Sequence, residues 1–217
     1  MMIRHILLEL KYHSPFTFIG TVIGISTAMV FSFLLPTSLS LSEAIFHVFH
    51  PLHILLSATA TASVFWRHKK QVSEAFLIGM FGSLGICSIS DIIFPYLGLL
   101  SIEEVEFHVC ILTHPQIVFP AAFIGVVFGI LFTELTRKSS LFSHSSHVLV
   151  SALASTFYMV GYGELPLIQI LPIGFAIIFV SVLIPCCTSD IAFPMLFIGR
   201  TTDEVKCIGK IKHHQEK

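Results

Sequence analysis

Charge is what this chain has least of. Only 12% of its 217 residues are Asp, Glu, Lys or Arg, against roughly 25% in an ordinary soluble domain. Too few polar groups remain to wet a globular surface, so a water-soluble domain is excluded unless lipid covers most of the chain. No basic stripe interleaved with aromatics is present, which removes nucleic acid as a partner. There is no Gly-rich phosphate loop, no His-Glu-x-x-His helix and no Gly-x-Ser-x-Gly elbow. An ATP-driven pump in this chain alone, and the common hydrolase designs, lose their motifs with them. Cysteine is also sparse and odd in number: Cys87, Cys110, Cys186, Cys187 and Cys207, with no Cys-x-x-Cys zinc ribbon and no even-numbered disulfide framework.

What is present is apolar. Hydrophobic residues make up 54% of the chain, with a mean hydropathy of +0.88. About 20 residues of helix cross the hydrocarbon core of a bilayer. Six runs approach or exceed that length: 16–35, 46–66, 75–99, 117–135, 147–162 and 171–198. A spanning segment must satisfy its own backbone hydrogen bonds, so each run is expected to be helical. The fold class expected is therefore an all-α integral membrane protein with six transmembrane helices. The first run is not expected to be a cleavable signal, because it is long and no small-residue cleavage site with a soluble mature domain follows it.

The basic residues set the orientation. Arg4 and Lys11 precede the first run, and Arg67, Lys69 and Lys70 follow the second. Arg137 and Lys138 follow the fourth, and Arg200, Lys206, Lys210, Lys212 and Lys217 follow the sixth. In a six-span topology all twelve lie on one side, and the opposite loops carry Glu43, Glu103, Glu104, Glu106 and Glu164 instead. By the positive-inside rule both termini are cytoplasmic, in a multi-pass protein of the cytoplasmic (inner) membrane.

An internal repeat carries more information than any single motif. The first run reads Pro15-x-x-Phe18-Ile19-Gly20-x-Val22-x-Gly24-Ile25, and the fourth reads Pro120-x-x-Phe123-Ile124-Gly125-x-Val127-x-Gly129-Ile130. The second run opens around His50-x-x-His53-x-Leu55-x-Ser57-Ala58, the fifth around His144-x-x-His147-x-Leu149-x-Ser151-Ala152. The third contains Cys87-x-x-Ser90-Asp91-Ile92-x-Phe94-Pro95, the sixth Cys186-x-x-Ser189-Asp190-Ile191-x-Phe193-Pro194. The offsets are 105, 94 and 99 residues, so the order is kept while the connections vary. The expected organisation is a cytoplasmic segment 1–14, a first repeat 15–99, an external acidic and His-bearing loop 100–116, a second repeat 117–199 and a basic tail 200–217. A three-helix unit has an odd number of spans, so its second copy enters the bilayer from the other side. That inverted-topology plan resembles secondary transporters in general design.

The repeated polar residues point to a metal. A carboxylate at membrane depth costs roughly 2.5–3.5 kcal/mol on insertion scales, and marks a pathway more often than a packing contact. Asp91 and Asp190 are such carboxylates. His50 with His53, and His144 with His147, are spaced i, i+3 and share a helix face. Imidazole, carboxylate and thiolate together suit Zn, Mn, Fe, Co or Ni. The metal ligands expected are His50, His53, Asp91, His144, His147 and Asp190. Cys87, Ser90, Cys186 and Ser189 are additional donors, as are His108, Cys110 and His114 from the external loop, with His47 nearby. Gly20, Gly24, Gly125 and Gly129 are expected at close helix contacts.

At 1.5 Å per residue, His50 and Asp91 stand about 24–26 Å above the inner interface, in the outer part of the membrane. His144, His147 and Asp190 mirror them near the inner face. Two half-sites are thus expected, one toward each face, unless Pro51, Pro95, Pro185 and Pro194 break the helices and draw them to the midplane. Both His pairs open their runs, where the helix dipole is positive and disfavours a bare cation.

The function expected is transport of a divalent transition-metal cation, with no prosthetic group, as a substrate rather than a cofactor. The partners are then the lipid bilayer and the ion, and a thin six-helix wall fits a homodimer. The chain is not expected to be an enzyme. The alternatives are an intramembrane zinc-dependent hydrolase acting on lipid, which would need only one productive site, and a proton- or anion-coupled carrier that uses no metal.

Overall fold

The computed structural model describes residues 2–34, 39–138, 140–187 and 193–198. The chain is almost entirely helical. The long helices are α1 (Met2–Leu34), α2 (Leu39–His68) and α3 (Val72–Ser88), which runs through a π turn (Ile89–Ile93) into α4 (Phe94–Leu100). A short α5 (Cys110–Thr113) leads to α6 (Pro115–Leu131), α7 (Thr133–Lys138), α8 (Ser140–Tyr162), α9 (Leu167–Cys187) and α10 (Phe193–Ile198).

Among the described residues, four helical segments are long and apolar enough to cross a membrane: Ser14–Phe31, Leu41–His68, Val72–Leu100 and Ile168–Cys186. The protein is therefore a helical membrane protein. Two of the six apolar runs fall outside that group. The helix Pro115–Leu131 is apolar but 17 residues long. The α8 helix is 23 residues long but rich in Ser and His. Its polarity is turned inward: Ser151, Ser155, Thr156 and His147 are all buried, where Ser151 and Ser155 bond to neighbouring helices and Thr156 to the Ala152 carbonyl of its own helix.

Outward-facing side chains are large and apolar. Phe33 is 81% exposed, Phe81 70% and Leu131 69%. In water such surface would cost about 25 cal/mol per Å²; against lipid tails it costs nothing. At the end of α2 the Lys70 ammonium lies 4.9 Å from the Trp66 ring centroid and that of Lys69 lies 5.9 Å from the Phe65 ring centroid, the aromatic and basic pairing of a membrane interface.

Helices meet through small residues. On α1, Gly20 faces Val148 and Leu149 of α8, and Gly24 faces the Ala152 carbonyl. On α6, Gly125 faces Leu55 and Ala58 of α2, and Gly129 faces Thr59. The first helix of each sequence repeat is thus laid against the second helix of the other. A side chain at Gly125 or Gly129 would collide with the carbonyl oxygen of Leu55 or Thr59. The Thr59 hydroxyl in turn donates to the Gly125 carbonyl at 3.1 Å. The middle of the molecule is α2 against α8, with the α3–α4 rod and α9 packed around them.

Candidate metal centre

The position of Asp91 follows from Pro95. Proline has no N–H and its ring crowds the carbonyl four residues back, here Asp91 itself. The helix responds by widening: the Phe94 N–H donates to the Ile89 carbonyl, five residues back. In that register the next donor, position 95, would serve the Ser90 carbonyl, and proline has none to give. Ser155 of α8 supplies it instead, its hydroxyl donating to the Ser90 carbonyl at 3.2 Å. The π turn thereby presents Asp91 to α2 and α8, with its carboxylate fully buried. Single π turns of this kind recur at functional sites.

The carboxylate is held by the side chains of neighbouring polar residues. The Nδ1–H groups of His50 and His53 donate to its Oδ2 at 2.9 and 2.7 Å. The hydroxyls of Ser90 and Ser151 donate to its Oδ1 at 2.7 and 2.9 Å. Donating from Nδ1 fixes the tautomer of both imidazoles and leaves a lone pair on each Nε2. Metal-ligating histidines commonly donate their other N–H to a carboxylate in this way.

The His53 Nε2 is where the groups converge. It lies 3.1 Å from the Nε2 of His147, 3.7 Å from the Cys186 sulfur and 3.8 Å from the Cys87 sulfur. His53, His147 and Cys186 form a set whose donor atoms lie within 4.8 Å of one another, with all three side chains buried. A tetrahedral ion about 2.0–2.1 Å from nitrogen and about 2.3 Å from sulfur holds its ligand atoms about 3.3–3.6 Å apart. The spacings from His53 to His147 and to Cys186 are close to that geometry. Soft and borderline donors of this kind suit Zn, Co, Ni or Cu, and are a poor match for Mg or Ca.

This arrangement differs from two half-sites at opposite faces. His53 and His147 occupy equivalent positions in the sequence repeat, as do Cys87 and Cys186, and all four gather at one point. The reason lies in where the helices begin. The α2 helix starts at Leu39, well before the apolar run, so His53 is the fifteenth of its thirty residues. His147 is likewise eight residues into α8. Neither pair sits at a helix N-terminus, and the dipole no longer opposes a cation there.

Asp91 also takes a different position from that of a direct ligand: it stands behind His50 and His53 and orients them. Ser90 orients the carboxylate in turn. Ser151 performs the same service from α8, a residue present in the repeat motif but assigned no role by the sequence. Its hydroxyl also meets the Cys186 thiol at 3.5 Å. His144 lies on α8 one turn before His147, and its side chain lies outside the described residues, as do Ser189 and Asp190. His50, fully buried, keeps an Nε2 without a hydrogen-bond partner among the described residues.

The remaining external residues form a second group. His47 Nδ1–H donates to the Glu43 carbonyl at 2.7 Å, and its Nε2 lies 3.2 Å from that of His108. Cys110 completes a second close set with these two, and the His114 ring is centred 4.4 Å from that of His47. Burial, with His47 and His114 adding repulsion, pushes His108 down to about 4, so it stands neutral at pH 7. Burial, with the Asp91 charge nearby, pushes the Cys110 thiol up to about 12.

No protein-family model, no curated protein and no solved structure matches this chain.

Proposed function

We propose that this chain is a membrane transporter for a divalent transition-metal cation, and that the ion binds between its two repeats at His53, His147 and Cys186. The observation that carries the reading is the convergence on one buried nitrogen: a second imidazole at 3.1 Å and a thiol at 3.7 Å, with a carboxylate holding the tautomer. Three protein donors leave a coordination position open, as in sites that exchange their ligands rather than lock them.

Two features favour cargo over a fixed structural ion. The donor set is drawn from both repeats, His53 from the first and His147 with Cys186 from the second. Rocking one repeat against the other, as inverted-repeat carriers do, would pull the set apart and release the ion. The site is also fully enclosed, each donor residue being no more than 2% exposed, so entry and exit both require such a motion. The exchanged packing of α1 on α8 and α6 on α2 is what a pseudo-two-fold axis between inverted repeats produces. In this reading six helices span the cytoplasmic membrane, both termini are cytoplasmic, and Asp190 serves the second repeat as Asp91 serves the first.

The test is flux in proteoliposomes with Mn, Fe, Co, Ni, Zn and Cd, comparing the wild type with Asp91→Asn, Asp190→Asn, His53→Ala and His147→Ala. Flux of one or more metals, abolished by each variant, is the expected result. Stoichiometric binding with no flux, and dependence on only one of the two aspartates, would sink the transporter and leave an intramembrane metal-dependent hydrolase. Flux of protons or anions in metal-free buffer would instead select a carrier without metal.

A further inference from the structure

We infer that His47, His108 and Cys110, with the His114 ring packed beside them, form a second transition-metal site, separate from the buried centre and about two helical turns from His53 along α2. His47 is three residues before His50, so the two project from one face of that helix. Its Nδ1–H is committed to the Glu43 carbonyl at 2.7 Å, which directs an Nε2 lone pair toward His108 Nε2 at 3.2 Å. That spacing matches two ligands of one tetrahedral ion, about 3.3 Å. The Cys110 thiol lies within 4.8 Å of both nitrogens. The His114 ring packs on both histidines, its centroid 4.4 Å from that of His47 and 5.5 Å from that of His108.

The loop that brings these groups together is fastened rather than loose. Glu106 N–H donates to the Tyr162 carbonyl at 3.0 Å, and Glu103 Oε2 accepts from the N–H groups of Glu164 and Leu165. The His108 ring is stacked on Tyr162, with centroids 4.7 Å apart and planes 13° from parallel. Two imidazoles and a thiol preorganised in this way, with a third imidazole packed beside them, select a borderline or soft divalent cation such as zinc or cobalt. Exposed Glu104 and Glu106 add negative charge to the same loop.

The buried His50 nitrogen links the two sites. The Phe46 ring stacks on His50 at 5.2 Å and also meets His47 at 5.4 Å and His108 at 6.4 Å. An Nε2 with no hydrogen-bond partner among the described residues offers an ion an intermediate contact between the outer set and His53. The outer site stands on its own ligands; its use as a loading station rests on the transport reading.

Metal stoichiometry of the full chain, purified without a histidine tag and stripped with chelator, separates the two. With zinc, the wild type is expected to bind two ions. The His108→Ala, His114→Ala double variant should bind one, as should His147→Ala, and the three changes combined should bind none. With cobalt, Cys110→Ser and Cys186→Ser should each remove part of the thiolate-to-cobalt charge-transfer absorption and together all of it. That readout uses conservative variants and survives if the alanine forms misfold. One ion in the wild type, lost with His147→Ala and untouched by the His108, His114 and Cys110 changes, overturns the outer site. One ion lost with those changes and untouched by His147→Ala keeps the outer site and removes the buried one. Two ions without flux would leave both sites standing while the transport reading fails.

Discussion

At the residue scale the decisive group is Asp91. A buried carboxylate is tolerated only when its lone pairs are filled, and here two imidazole N–H groups and two hydroxyls fill them. In the proposed metal centre its part would be to hold His53 so that Nε2 faces His147. Asp91→Asn keeps the shape and loses the negative charge, and its amide nitrogen cannot accept from either imidazole. Zinc affinity at the buried centre is expected to fall about 10–100-fold, the usual cost of losing a carboxylate behind a metal-bound histidine. Ser151→Ala, which removes one of four hydrogen bonds, should cost less than Asp91→Asn. Competition against a chelator of known affinity measures both, and an unchanged affinity in Asp91→Asn would mean that His53 needs no orienting partner.

At the element scale the π turn and the glycine contacts set the geometry. Pro95 forces the turn, and the turn aims Asp91. Pro95→Ala restores a donor and lets an ordinary helix form, relieving a defect that is worth up to about 3 kcal/mol in an uncompensated helix. Its expected signature is a melting temperature equal to or above that of the wild type, combined with a zinc affinity lowered about tenfold or more through misplacement of Asp91. Affinity that stays unchanged would show that the turn does not aim the carboxylate. The α6–α2 contact gives an independent prediction. A methyl at Gly125 meets the Leu55 carbonyl and the Ala58 Cβ, and one at Gly129 meets the Thr59 backbone. Backbone has little room to yield, so Gly125→Ala and Gly129→Ala should each destabilise by about 1–3 kcal/mol. Gly85, with nothing within 4 Å, is the matched control, and Gly85→Ala should leave the melting temperature unchanged or raise it slightly.

At the scale of the whole molecule, the buried donors tie together halves of the chain that are distant in sequence. His53 and His147 are 94 residues apart, His53 and Cys186 133. An ion held by all three is a cross-link between the halves, and an ion that binds only the folded state stabilises it. At a free zinc concentration 100 times the dissociation constant the gain is about 2.7 kcal/mol. Thermal unfolding with zinc and with chelator should therefore differ by several degrees in the wild type and by much less in His147→Ala. Equal shifts in both would place the stabilising ion elsewhere.

The sequence by itself determined the class of molecule. Scarce charge and long apolar runs can be stable only as helices in lipid, because an unpaired backbone amide has no partner there. It also singled out His50, His53, Asp91 and their counterparts, polar residues that recur in register at a depth where polar groups are expensive. Cys87 and Cys186 were legible for the same reason. Roles were less legible. Asp91 reads as a ligand from its chemistry alone, and only the distances reveal that its oxygens are already taken by Nδ1–H groups and hydroxyls. Ser151 lay in plain view within the motif, but nothing local says that it reaches a carboxylate 60 residues away. The meeting of His53 with His147 was decided by tertiary structure. It depends on how far α2 extends before its apolar run and on the glycine contacts that seat α1 on α8 and α6 on α2. Periodicity along a chain measures position within one helix; the distance between two helices is set by which side chains can pack between them, and that is a property of the pair.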